Sequence, residues 1–278
     1  MIPRLLLALL VAFPALAADP TTSTPRPAPA PAPGPARIIG AGDSGCIAGA
    51  VRLPDTAPGM QTIRNARSTF WGHPDIVAAL VALAVRAKAA GLPDLYMNDI
   101  SLPRGGPLIG IHASHQRGLD ADIWLDVEPP HPVLPVAARE NFEPPSLVRA
   151  DQRGVVASLW RPQHLQLIRL AATTPGVDRI LINPAIKRQL CLDATGDRAW
   201  LQRVRPWYGH ASHMHLHFRC PANQPECIDQ APPPVGEGCD ASLQWWFDQL
   251  DHPSAPMAAA SLKPVKLPQA CLAIIAAP

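Results

Sequence analysis

Between His213 and Arg219 the chain reads HMHLHFR, imidazole and apolar side chains in strict alternation. Successive side chains of a β-strand point to opposite faces. The spacing therefore predicts a strand with His213, His215 and His217 on one face and Met214, Leu216 and Phe218 on the other. Residues 119–127 alternate less cleanly and predict a second strand carrying Asp120, Asp122 and Asp126 on one face. Leu95–Ile100 and Arg179–Ile182 read as further strands. Pro74–Ala90 has the apolar spacing of a helix, with Pro74 at its first position, Asp75 at the positive end of its dipole and Gly91 as its stop. Pro162–Ala172 and Pro184–Cys191 read as shorter helices, each opening on a proline, while Glu128–Pro135 and Pro232–Gly236 fit loops. Trp245, Trp246 and Phe247 read as packing the C-terminal part of the core. Helices fall between strands without a regular βαβ rhythm, and no repeat of solenoid or propeller length is present. The expected fold is α+β, a central antiparallel sheet with flanking helices and long proline-rich loops.

The N-terminal part does not follow this pattern. Arg4 precedes an apolar run, Leu5–Phe13, that is too short to span a bilayer, and Ala15-Leu16-Ala17 offers a small-x-small cleavage site. Residues 1–17 thus read as a secretory signal peptide. Residues 18–36, with the run PRPAPAPAPGPA, read as a Pro/Ala-rich linker that buries nothing. Residues 37–278 remain for one catalytic domain. A formal net charge of +2 leaves no broad basic face, so no nucleic-acid partner is expected, and no later run makes a stable membrane anchor.

Export changes the reading of the six cysteines, Cys46, Cys191, Cys220, Cys227, Cys239 and Cys271. In an oxidising compartment an even number points to disulfides, in any of fifteen pairings. A bridge between Cys46 and Cys271 would close the domain. Cys220, three residues beyond His217, is a rival metal ligand, though the compartment and nearby Cys227 favour a disulfide.

Six of the ten histidines fall in two windows, HASHQRGLDAD at 112–122 and GHASHMHLHFR at 209–219. The first also holds Asp120 and Asp122, and mixed imidazole and carboxylate suits a catalytic zinc better than a closed, Cys-only site. Such a zinc keeps three protein ligands and one position for water. The HEXXH helix signature is absent. Histidines satisfied singly in a core or on a surface seldom cluster so tightly. Three same-face positions of a strand span roughly 14 Å, so one ion is not shared by His213, His215 and His217, and His217 is expected at the rim. Asp120 reads either as orienting a ligand imidazole or as part of a solvated face. Trp207 and Tyr208 read as a groove lining or a core wedge, and Arg117 as a partner for a substrate carboxylate or a solvated side chain.

At these residues the chain resembles the penicillin-insensitive murein endopeptidases, zinc peptidases of the lysostaphin and D-alanyl-D-alanine peptidase group. That group's first motif places a Gly three positions and an Asp seven positions after a ligand His, as His115, Gly118 and Asp122 stand here. Its second motif, His-x-His, is matched by His213-Met214-His215, and the likeness extends to INPAIKRQLC at 182–191, PWYGH at 206–210 and the cysteine layout. The resemblance implies one Zn2+ held by His115, Asp122 and His215, with His213 as the catalytic imidazole and His112 and His210 lining the site. It also implies the disulfides Cys46–Cys271, Cys191–Cys239 and Cys220–Cys227. Two points depart from the wider pattern: Ala113 stands where the group often has Ser, and His217 where Arg is common. The implied activity is that of a periplasmic zinc endopeptidase cutting D-alanyl-meso-diaminopimelate cross-links between peptidoglycan stems. Catalysis would not use the serine that penicillin acylates, and no S-x-x-K, S-D-N and K-T-G set is present. A zinc D,D- or L,D-carboxypeptidase and a non-catalytic wall-binding module are the alternatives.

Overall fold

A computed structural model describes residues 28–129, 131–252 and 265–276. The signal-peptide segment and the first part of the linker lie outside the described residues. In chain order the elements are β1 (Arg37–Ala41), β2 (Ser44–Ala48), β3 (Val51–Arg52), β4 (Thr56–Ala57), β5 (Met60–Thr62), β6 (Trp71–Gly72), α1 (Pro74–Ala89), β7 (Leu95–Met97), β8 (Asp120–Trp124) and α2 (Val136–Glu140). They continue with α3 (Pro162–Ala172), β9 (Val177–Ile182), α4 (Pro184–Asp193), β10 (Val204–Pro206), β11 (His213–Phe218), α5 (Ala241–Asp251) and α6 (Gln269–Ala276).

The fold is α+β. Seven strands form one sheet in the order β10-β9-β11-β8-β7-β5-β4. Its centre, β9-β11-β8-β7, is antiparallel as expected, but β10 runs parallel to β9 and β5 parallel to β7, so the sheet is mixed. The cause is connection: α1 lies between β5 and β7 and α4 between β9 and β10, and a crossover helix returns the chain in the direction it left. Each of these helices begins with a proline at its first turn and a side-chain cap, His73 for α1 and Asn183 for α4.

One sheet face is covered by helices, with α1 packed on α3 and α3 on β9. Met214, Leu216 and Phe218 are fully buried there beside Ala121 and Ile123 of β8. Three such side chains contribute roughly 5–9 kcal/mol of burial, as an upper estimate. A one-residue slip of β11 would expose all three and drive the histidines inward, so this burial fixes the register of the site.

The disulfides are Cys46–Cys271, Cys191–Cys239 and Cys220–Cys227. Cys46–Cys271 sits in a small second core with Ala32, Ile39 and Ile274. Ala32 belongs to the stretch expected to bury nothing, yet it is buried, and its carbonyl accepts from the Gly49 N–H at 2.9 Å. Ala30 accepts in turn from Arg104 Nε at 3.0 Å. Proline lacks a donor, but the alanine carbonyls between prolines remain free to bond. Lys187 of α4 is also fully buried, its Nζ donating to the carbonyls of Leu201 at 2.8 Å and Glu237 at 2.6 Å. Of the C-terminal aromatics only Phe247 is buried; Trp245 stands about half exposed because it lies on the outer side of α5.

Candidate metal centre

On the sheet face opposite the helices, β11 and β8 run antiparallel with His215 opposite Asp122 and His217 opposite Asp120. His115 arrives from the loop before β8 in a left-handed conformation, φ 63°. Outside glycine that region is sparsely populated, and such residues concentrate at functional sites. Gly118 follows at φ 69°, and a Cβ there would meet Gly72 Cα at 3.0 Å and Ile47 at 3.0 Å. Only glycine lets this loop pass so close to β6 and turn into β8.

Three donor atoms converge. His215 Nδ1 lies 2.9 Å from His115 Nε2 and 3.2 Å from Asp122 Oδ1, and His115 Nε2 lies 3.4 Å from Asp122 Oδ1. Two imidazole nitrogens and a carboxylate come this close only around a shared proton or a cation. A tetrahedral ion with bonds of about 2.0–2.2 Å has edges of about 3.3–3.6 Å, so the triangle accepts one after widening by a few tenths of an ångström. The His115 tautomer suits this: its Nδ1 faces the Ile100 carbonyl at 3.0 Å and must donate, which leaves a lone pair on Nε2. His112 forms an overlapping group with His115 and Asp122, within 4.8 Å. The set with His215 is the tighter one, and His112 Nε2 is already bonded to Asp99 Oδ2 at 2.7 Å.

The charges are arranged to match. Burial opposes the Asp122 carboxylate, but the close imidazoles of His115, His213 and His215 outweigh it and hold it ionised well below the usual range. Burial likewise opposes the charged form of His215, while hydrogen bonds to Asp120 and Asp122 raise it to about 10, a proton that a cation would displace.

The other histidines of the two windows surround this triangle. His213 Nε2 stands 3.8 Å from Asp122 Oδ2, and its side chain keeps 24% of its exposure. Burial lowers its pKa, with Asp122 opposing, so the ring is neutral at neutral pH. His210 packs against it with ring centroids 5.0 Å apart and is pushed down to about 3, by burial first and then by the nearby His213 and His215. His210 is left-handed at φ 47°, its Nδ1 donating to the Tyr208 carbonyl at 3.0 Å. Asn183, the cap of α4, holds the same turn through Gly209 O at 3.0 Å, which couples the 182–191 and 206–210 segments.

Two expectations, for His217 and Arg117, are corrected, and the choice left open for Asp120 is decided. His217 is buried, not at the rim, because it sits in mid-sheet opposite Asp120. Asp120 is also buried and bonds both His215 Nε2, at 3.2 Å, and His217 Nδ1, at 2.8 Å, so it is no solvated face. Arg117 is fully buried and meets protein carbonyls rather than solvent. Trp207 is about half exposed and so is not a core wedge, while Tyr208 donates its hydroxyl to the Trp246 carbonyl. Asp99 was not singled out in the sequence. It is buried and accepts from Arg67 at 2.8 Å, from Thr69 and from His112, and its interactions with His112 and Thr69 overcome burial to keep it ionised. An acidic residue inside the predicted strand Leu95–Ile100 was the available signal. A groove of about 660 Å³ beside α1, between Arg86 and Arg219, contains none of these groups.

A disulfide-bridged α+β fold that gathers two imidazoles and a carboxylate to within 3.4 Å on one sheet face has the architecture of a metal-dependent peptidase. The comparisons narrow this class. The chain belongs to the penicillin-insensitive murein endopeptidase family, whose model matches residues 38–276. It is 44% identical over 272 residues to the penicillin-insensitive murein endopeptidase of Klebsiella pneumoniae subsp. pneumoniae, covering 97% of this chain and 96% of that protein. Proteins of the same name from Yersinia enterocolitica and Shigella sonnei are each 42% identical, over 97% of this chain and 95% and 96% of theirs.

Proposed function

We propose that this chain is an exported zinc endopeptidase that hydrolyses D-alanyl-meso-diaminopimelate cross-links between peptidoglycan stems in the periplasm. The observation that carries the reading is the triangle of His115 Nε2, Asp122 Oδ1 and His215 Nδ1 in a member of this family. These three residues would hold the zinc, which when bound supplies Lewis acidity, acidifying water and polarising a peptide carbonyl. The six bridged cysteines and the signal-like N-terminus support an oxidising compartment.

His213 is the acid–base group. Its neutral ring, beside the triangle and partly open to solvent, takes the proton of the attacking water and returns it to the leaving amine. His210 has its Nδ1–H committed to Tyr208, so its Nε2 accepts a hydrogen bond, from protonated His213 or from a substrate amide. His112, anchored on Asp99, walls the other side of the triangle with its ring 4.1 Å from that of His115.

Digestion of purified sacculi, with products resolved by mass, tests the reading. Loss of cross-linked dimers, abolished by chelator and unaffected by penicillin, is expected. Loss of terminal D-alanine alone would replace it with a carboxypeptidase, and intact sacculi at saturating zinc with a binding module.

A further inference from the structure

We infer that Arg117, His217 and Asp120 form a buried positioning relay that fixes the tautomer and orientation of His215 and ties it to the Cys220–Cys227 loop. The proposal rests on His215 being a metal ligand. The links are continuous. Arg117 Nη2 lies 3.3 Å from His217 Nε2, His217 Nδ1 lies 2.8 Å from Asp120 Oδ1, and Asp120 Oδ1 lies 3.2 Å from His215 Nε2. All four side chains are at most 5% exposed.

The donor rules allow one arrangement. A guanidinium only donates, so His217 Nε2 must be the acceptor. The neutral His217 ring then carries its hydrogen on Nδ1 and donates it to Asp120. With Asp120 accepting, His215 donates through Nε2, so that once a cation displaces its second proton the Nδ1 lone pair faces His115 Nε2 and Asp122. A reversed His217 tautomer would set Nε2–H against Arg117 and a bare Nδ1 against the Asp120 carboxylate, two repulsive contacts in a dry interior.

The outer end is anchored in the fold. Arg117 Nη1 donates to Gly40 O at 3.1 Å and Ile228 O at 2.6 Å and touches the bridged sulfurs of Cys227 and Cys220 at 3.3 and 3.5 Å. Arg117 thus clamps β1 and the bridged loop to the strand that carries the site. Its positive charge and the negative charge of Asp120 balance across a neutral imidazole, which offsets part of the cost of burying both. The cation is thus supplied from position 117 and reaches the carboxylate through the His217 ring.

Zinc affinity of the purified protein, measured by competition with a chelating dye, tests the relay. His217→Leu should weaken binding by about 10–100-fold, the usual effect of losing such an outer contact, and lower kcat with little change in KM. His217→Asn, whose amide can stand in for Nδ1–H, should restore most of the affinity, whereas His217→Gln should not. A role in packing alone would leave affinity untouched or treat Asn and Gln alike, and either result overturns the relay. Should His217→Leu fail to fold, long-range proton–nitrogen NMR of the zinc-loaded wild type decides. Nδ1–H on His217 with Nε2–H on His215 supports the relay, and Nε2–H on His217 overturns it. If the wild type binds no zinc, the ligand reading fails instead, a distinct outcome.

Discussion

His215 and Asp122 are direct partners across the antiparallel β8–β11 pair, and their Nδ1 and Oδ1 atoms lie 3.2 Å apart. The register that buries Met214 and Leu216 therefore also brings together two of the three residues of the candidate metal centre. His115→Ala, Asp122→Ala and His215→Ala should each lower bound zinc from one ion per chain toward none and abolish sacculus digestion. Elemental analysis of the dialysed proteins checks this; a full complement of zinc in any of the three would remove that residue from the donor set.

His213 should separate binding from turnover. His213→Ala is expected to retain its zinc and lose about 10²–10⁴-fold in kcat, the usual worth of a positioned acid–base group. Near-normal turnover would sink the assignment. Its pH dependence carries a sign. Burial lowers the imidazole below its ordinary value of 6.5, so the ring stays able to accept a proton at pH values where a free histidine is charged. The acid limb of kcat/KM should therefore lie below pH 6.5.

Lys187 predicts a stability slope away from the site. Burial, reinforced by Arg205 and opposed by Glu237, lowers its ammonium from 10.5 to about 7. Between those values the unfolded chain holds a proton that the native state lacks, so this group makes stability rise with pH, by at most about 1.4 kcal/mol per unit. Urea midpoints at pH 7.5 and 9.5 should show the wild type gaining on Lys187→Met. An unchanged difference would mean that the buried amine does not titrate in this window.

The Cys46–Cys271 bridge should dominate the thermal stability of α6 and of the antiparallel pair β1–β2. Replacing both cysteines by serine is expected to cost about 2–5 kcal/mol, which for a domain of this size lowers Tm by about 5–15 °C. Calorimetry under non-reducing conditions reads this, and an unmoved Tm would show that the small core holds without it.

Much of the site was legible because strand alternation is local: His213 with His215, and Asp120 with Asp122, follow from period two alone. The sheet partners were not. Nothing between positions 213 and 219 says that His217 will face Asp120, or that Arg117 will close over it, because cross-strand register is set by burial elsewhere. Asp99 was hidden for the same reason, since its role depends on His112 being brought to it. The parallel flanks of the sheet depend on where α1 and α4 pack, which periodicity does not encode. The Ala32 contact was missed because composition describes what a segment tends to do and not which free carbonyls a neighbouring hairpin can use.

The three bridges are nested: Cys220–Cys227 lies within Cys191–Cys239, which lies within Cys46–Cys271. A ribosome delivers the cysteines in sequence order, so Cys46 is made first and waits for the last thiol of the six. Pairing in order of appearance would join it to Cys191 of α4 instead. Both cysteines of each inner pair precede the last cysteine of the pair around it, so the first native bridge the growing chain can close is Cys220–Cys227, which Arg117 touches beside the histidines. The oxidative maturation of this chain is thus a task of holding one early thiol in reserve until the opposite end arrives.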